Sequence, residues 1–206
     1  MIERMEHAIG SVSGGAGGRE LTLEEWIALD EDEPGEWVDG RLEDEEVPDY
    51  AHELCVTWLT HMIRTWLAAS GAGFVGGSDA KFLVKQRRGR KPDASVYLPG
   101  TKPPPRRGVV RVAPDILIEV ITPTARDIRR DRLEKMDDYA AFGVRFYWLV
   151  DPESRLFEVY ALREGLYARA LGADGGRQDH IPGCEGLVLD LDALWSEIDR
   201  LGESEA

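Results

Sequence analysis

Hydrophobic residues recur at helical spacing from Asp49 to about Ala69, where Leu54, Cys55, Trp58, Leu59, Met62, Ile63, Trp66 and Leu67 share one stripe. That spacing predicts the longest helix of the chain, with one face in the core. Gly71 and Gly73 end it. Upstream, Thr22-Leu23-Glu24-Glu25 has the form of a capping box, in which a hydroxyl and a carboxylate each satisfy a free amide, and a short helix to about Leu29 is expected. Glu36-Trp37-Val38 and Arg41-Leu42-Glu43 then flank Asp39-Gly40, a dipeptide that accepts the positive φ angles of a tight turn. Two short antiparallel strands follow from that.

Past the long helix, Phe74-Val75, Lys81 to Val84 and Ala94 to Leu98 read as strands between turn-rich pieces. Pro103-Pro104-Pro105-Arg106-Arg107 is a stiff, basic connection in which no ladder can form. Ile116 to Ile121 is apolar on both faces except for Glu119, the pattern of a central strand, and Pro123 stops it. A helix is expected from Asp127 to Phe142, ended by Gly143, followed by an all-apolar strand from Phe146 to Val150. Leu156 to Leu162 and Leu166 to Leu171 form a hairpin, and the chain closes with Leu187 to Leu191 and an amphipathic helix near Asp192 to Leu201. No internal repeat is present. This order predicts an α/β (α+β) fold, a mixed central sheet with helices on its faces.

A length of 206 residues with 43% hydrophobic content suits one core. A single domain is expected over residues 21–201, with a tail at 202–206 and a disordered leader over residues 1–20, whose Gly10-to-Gly18 stretch is too small and flexible to bury apolar surface. Neither a signal peptide nor a membrane span is legible, so a cytoplasmic location and no membrane partner are expected. Cys55, Cys184 and four scattered histidines show no metal-ligand spacing, which argues against zinc. The net charge of -14 argues against a general nucleic-acid coat protein, but its distribution is uneven. Nearly every charge between Glu24 and Glu53 is acidic. The sign reverses at Lys81, Lys85, Arg87, Arg88, Arg90 and Lys91, and again at Arg126, Arg129, Arg130 and Arg132, a pattern that suggests basic patches on an acidic body.

Glu119 carries the most information, because a carboxylate inside an apolar central strand is costly to bury without a compensating cation. Asp93 stands at the entrance to the strand from Ala94 to Leu98, and two carboxylates at the ends of adjacent strands can share one hard cation, magnesium or manganese. Lys135 lies on the following helix with Asp131 and Tyr139 one turn to either side. Its ammonium could orient water and offset charge on a phosphate. The residues alone leave two readings open: a metal site, or a buried structural ion pair between Glu119 and Lys135.

Taken in order, Glu36-Trp37-Val38-Asp39-Gly40, His52, Lys91-Pro92-Asp93, Pro114 to Pro123, Arg130 to Tyr139, Gly143-Val144 and Tyr147 to Pro152 resemble the Uma-type family of putative bacterial restriction endonucleases, of the PD-(D/E)XK nuclease superfamily. The resemblance spans about Leu21 to Leu191. It implies a restriction-endonuclease-like fold and magnesium-dependent (or manganese-dependent) phosphodiester hydrolysis. By position it makes Asp93 and Glu119 the metal ligands, Glu36 an N-terminal acidic residue of the site, and His52 a possible auxiliary residue. The usual pattern would place lysine at position 121, where this chain has Ile121, so the role passes to Lys135. Lys85, Arg87, Arg88, Arg90, Lys91, Arg129 and Arg130 would grip a nucleic-acid backbone. DNA is the expected partner and a homodimer the expected assembly. The alternative is a catalytically inactive module of this fold that binds nucleic acid or a protein.

Overall fold

The computed structural model describes residues 18–30, 35–44 and 47–202. Most of the expected leader, up to residue 17, lies outside the described residues, as do the acidic positions 31–33 and 45–46 and the tail from residue 203.

The architecture is a mixed sheet covered on both faces, with a second, antiparallel sheet at its side. The larger sheet has the order β10-β9-β8-β7-β6-β3, built from β3 (Phe74–Gly76), β6 (Ala94–Tyr97), β7 (Ile116–Val120), β8 (Phe146–Asp151), β9 (Leu156–Arg163) and β10 (Leu166–Ala173). Only β7 and β8 run parallel, with Glu119 opposite Leu149, and a helical crossover joins them. The smaller sheet has the order β2-β1-β5-β4, from β1 (Glu36–Val38), β2 (Arg41–Glu43), β4 (Phe82–Lys85) and β5 (Arg88–Arg90). A two-stranded ladder of β11 (Arg177–Gln178) and β12 (Leu189–Asp190) completes the strands.

Period-two alternation along the strands divides the core. Ile116, Ile118, Val120, Trp148, Val150, Phe157 and Val159 face α2 (Tyr50–Ser70) and α5 (Leu191–Ile198), where they meet Cys55, Leu59, Ile63, Leu194 and Trp195. Leu117, Ile121, Tyr147 and Leu149 face the other way and pack with Phe82, Val84, Tyr139 and Val144. Both cysteines are buried and free, and burial pushes each thiol up to about 12, so they behave as small apolar side chains. Trp37 and Trp148 are buried, while Trp58 and Trp66 are partly buried against the first cluster.

The local signals act as expected at several points. Thr22 and Glu25 form a reciprocal capping box on α1 (Leu23–Ala28). Asp39 and Gly40 take φ of 52° and 88° between β1 and β2, and Gly71 and Gly143 end their helices in left-handed geometry.

Two expectations change. The basic stretch before Lys91, expected as a turn-rich piece, is solvated only at Lys85 and Arg87, because Arg88–Arg90 forms β5, with Gly89 beneath the Trp26 ring and Arg90 buried. The helix expected from Asp127 begins earlier, under a Thr124 cap, and has three parts: α3 (Ala125–Arg129), a π-helical turn (Arg130–Glu134) and α4 (Lys135–Phe142). No helix among the described residues is long and apolar enough to cross a membrane.

Candidate active site

Antiparallel pairing puts Ala94 opposite Ile118, so the start of β6 lies beside the end of β7. Asp93 and Glu119 are thereby brought to one end of the sheet and line one pocket, with His52, Lys91, Arg130, Asp131 and Lys135. Asp93 Oδ2 accepts the Val120 N–H at 2.6 Å and lies 3.3 Å from His52 Nε2. Among the described residues no hydrogen bond engages its other oxygen, Oδ1. His52, capped into the first turn of α2 by Asp49, thus flanks the carboxylate it was expected to accompany. Burial alone would lower the imidazole pKa, but the hydrogen bond and charge of Asp93 outweigh it and raise the value.

Glu119 is 2% exposed. Its Oε1 accepts the Tyr139 hydroxyl at 2.5 Å, and its Oε2 lies 2.9 Å from Lys135 Nζ. Lys135 opens α4 and is itself buried, with Asp131 at 3.4 Å and Glu36 at 3.6 Å. The π turn bears directly on this arrangement. The Lys135 N–H bonds to the Arg130 carbonyl, one residue further back than in an α-helix, and the Asp131 carbonyl so released accepts the Tyr147 hydroxyl at 3.0 Å. Nothing in the local sequence marks that turn, though the tyrosine on β8 that completes it falls on the correct face of the strand.

Glu36 does not line the pocket. It is buried behind Lys135, with Oε2 2.6 Å from Arg90 Nη1 and Oε1 accepting the Lys91 N–H at 3.0 Å. Burial works to raise its pKa, but Lys135, Arg90 and Arg130 together bring it down to about 2. Glu119 behaves in the opposite way. Burial raises it, Lys135 opposes, and the neighbouring charges of Asp93, Asp131 and Glu36 push it further, leaving it well above the ordinary value. Asp131 is raised by burial against the pull of Lys135 and Arg130, and its Oδ1 is buried without a hydrogen bond.

The cations expected to grip a backbone are placed very differently from one another. Arg90 is a correction to that expectation: it is fully buried, bonded to Glu36 and, through Nε at 2.8 Å, to Asp138. Lys85 Nζ is 2.5 Å from Asp138, Arg88 is 3.1 Å from Asp39, and Arg87 donates to the Asp39 carbonyl. Lys91 is buried at the pocket wall, 3.4 Å from Asp79. Lys81, also part of that run, caps the end of α1 through the Trp26 and Leu29 carbonyls at 2.9 and 2.8 Å. Arg130 lines the pocket, paired with Asp127 at 2.8 Å, and Arg129 is exposed. Asp138 is the residue that sequence reasoning missed; it looks like one more surface acid on a helix, and only the distant Arg90 and Lys85 reveal its place.

The donor set suits a hard divalent cation. Asp93 and Glu119 offer carboxylate oxygens at one pocket, and the carboxyls of Glu119 and Asp131, raised first by burial, are each raised further by the charges of Asp93 and Glu36, which a cation would offset. Among the described residues no group of three or more His, Cys, Asp or Glu side chains is placed to hold a metal ion by itself.

The family model Uma2, described as "Putative restriction endonuclease", matches residues 22–192. Among solved structures, a chain described as a putative nuclease belonging to DUF820 from Anabaena variabilis ATCC 29413 is similar, with a TM-score of 0.67 at 20% identity, over 85% of this chain and 98% of that one. That likeness carries the fold. No curated protein matches.

Proposed function

The chain belongs to the Uma2 family over residues 22–192, and from that premise we propose that it is an endonuclease hydrolysing phosphodiester bonds of DNA with a bound magnesium ion, for which manganese can substitute. The observation that carries this reading is the convergence of Asp93, Glu119 and Lys135 at one solvent-reaching pocket, with Lys135 Nζ 2.9 Å from Glu119 Oε2.

Asp93 and Glu119 would hold the ion. The Val120 N–H and His52 fix the Asp93 carboxylate, and the Tyr139 hydroxyl fixes that of Glu119. When bound, the ion polarises a phosphate oxygen and lowers the pKa of a water molecule. Lys135, steadied by Glu36 and Asp131, turns its ammonium toward the attacking water and offsets the charge that builds on the phosphate. Lys91 and Arg130 add positive charge at the pocket wall. A homodimer is the assembly that would present two such pockets to the two strands of a duplex.

Plasmid nicking in magnesium tests the reading. The near-isosteric variants Asp93→Asn and Glu119→Gln, checked for retained fold by circular dichroism, should lose about 100-fold or more in rate. Undiminished cleavage by either one removes the assignment.

A further inference from the structure

The basic run expected to hold nucleic acid is largely engaged within the protein, since Lys81, Lys85, Arg88, Arg90 and Lys91 each have a carbonyl or carboxylate partner. A cluster of positive charge without such partners lies elsewhere. The connection from β6 to β7 carries Lys102, Arg106, Arg107 and Arg111, all exposed, and no acidic residue occurs from Leu98 to Pro114. Among the described residues none of these four cations makes a hydrogen bond or ion pair.

The connection is held in shape at both ends. The Thr101 N–H bonds to the Leu98 carbonyl at 3.1 Å, the Val110 N–H bonds to the Lys81 carbonyl at 2.8 Å, and its carbonyl accepts the Leu83 N–H at 2.9 Å. The Tyr97 hydroxyl donates to the Val112 carbonyl at 2.8 Å, while Pro103, Pro104 and Pro105 restrict the backbone between these anchors. Four unpartnered cations are thus presented on a pre-ordered loop of a chain whose net charge is -14.

We propose that the loop from Lys102 to Arg111 is a second contact zone for nucleic acid, separate from the pocket, which binds the phosphate backbone without reading sequence. This rests on the reading of the substrate as nucleic acid. None of the four side chains lines the pocket. The loop leaves the end of β6 remote from Asp93, and the four residues of that strand span about 13 Å, so the Lys102 end of the zone would engage phosphates beyond those nearest the scissile bond. The polyanion is favoured over an acidic protein because isolated, unpaired cations gain affinity by releasing the counterions condensed on a phosphate backbone.

The test is fluorescence anisotropy with a labelled duplex of about two helical turns in EDTA, across a salt series. The variant Lys102→Gln/Arg106→Gln/Arg107→Gln/Arg111→Gln changes only exposed side chains, and its melting temperature should match that of the parent. Its log-affinity against log-salt slope should fall by about 3 to 4, and its affinity near 0.1 M salt by more than about tenfold. The charge-reversal pair Arg106→Glu/Arg107→Glu should bind more weakly than Arg106→Gln/Arg107→Gln. An unchanged slope and affinity in the fourfold variant overturns the proposal, as does a parent protein that binds no duplex. Binding that depends on the loop in a protein that never cleaves would leave this inference standing and remove only the proposed reaction.

Discussion

Glu36 and Glu119 approach the same ammonium, that of Lys135, at 3.6 and 2.9 Å, yet their carboxyls are displaced in opposite directions. Glu36 has Arg90 as a second cation on a dry side of the site. Glu119 instead shares its surroundings with Asp93 and Asp131 and opens on the pocket. The first is a settled buried pair; at the second, burial and the neighbouring carboxylates disfavour ionisation.

That difference predicts a metal-linked gain in stability. Manganese should raise the melting temperature of the parent, and at about 100 times its dissociation constant the gain is worth about 2.7 kcal/mol. Asp93→Asn and Glu119→Gln should lose most of this response. Differential scanning fluorimetry with and without metal measures it. In metal-free buffer at neutral pH, Glu119→Gln should be no less stable than the parent, because folding raises the Glu119 pKa and ionisation therefore disfavours the folded state.

The Glu36 carboxyl titrates near 4.5 without perturbation and at about 2 in the folded protein. As pH falls, the unfolded chain takes up this proton first, so the contribution is fully present above about 4.5 and disappears as pH approaches 2. Glu36→Gln should accordingly cost a few kcal/mol at neutral pH, on the order implied by such a shift, and progressively less in acid. Urea unfolding of parent and variant across that range reports the difference.

Arg90 should behave as a structural cation. Arg90→Ala leaves Glu36 and Asp138 without their shared partner in the interior, a loss of about 3–5 kcal/mol. At a temperature where the variant remains folded, its affinity for a duplex should change by less than about twofold. A steep loss of affinity with unchanged melting would place this guanidinium on the nucleic acid instead.

Gly89→Ala tests the packing of β5. A methyl group there would meet the Trp26 ring at 2.6 Å, and Trp26 is fully buried with little room to retreat. A loss of about 1–3 kcal/mol is expected, read as a lower denaturant midpoint.

How much was legible in the chain follows from the range of each interaction. The Thr22–Glu25 box, the Asp39-Gly40 turn, the stripe of α2 and the apolar run of β7 are encoded within a few residues, and each appears where its pattern placed it. Asp93, Glu119 and Lys135 stood out because charge near an apolar strand needs compensation, but the residues alone left a buried ion pair and a metal site both open and only the resemblance chose between them. The structure brings all three to one pocket. The fate of the basic run was not visible. Whether an arginine meets solvent or a buried carboxylate depends on partners such as Glu36 and Asp138, which local periodicity does not connect to Arg90. The π turn was equally silent, since its completion depends on Tyr147 across the sheet.

Ile121, two positions beyond Glu119, is 2% exposed and belongs to the cluster containing Phe82 and Tyr139. The strand face that would carry lysine in the linear pattern the resemblance implies is committed here to packing, and the ammonium proposed for that role stands on α4, 2.9 Å from Glu119 Oε2. A search that demands the acidic residue and lysine two positions apart on one strand will pass over this chain and any other that divides the pair in the same way. In this chain the pairing of carboxylate and ammonium is a distance in space, closed by the fold across the stretch from β7 to α4, and not a spacing along the polymer.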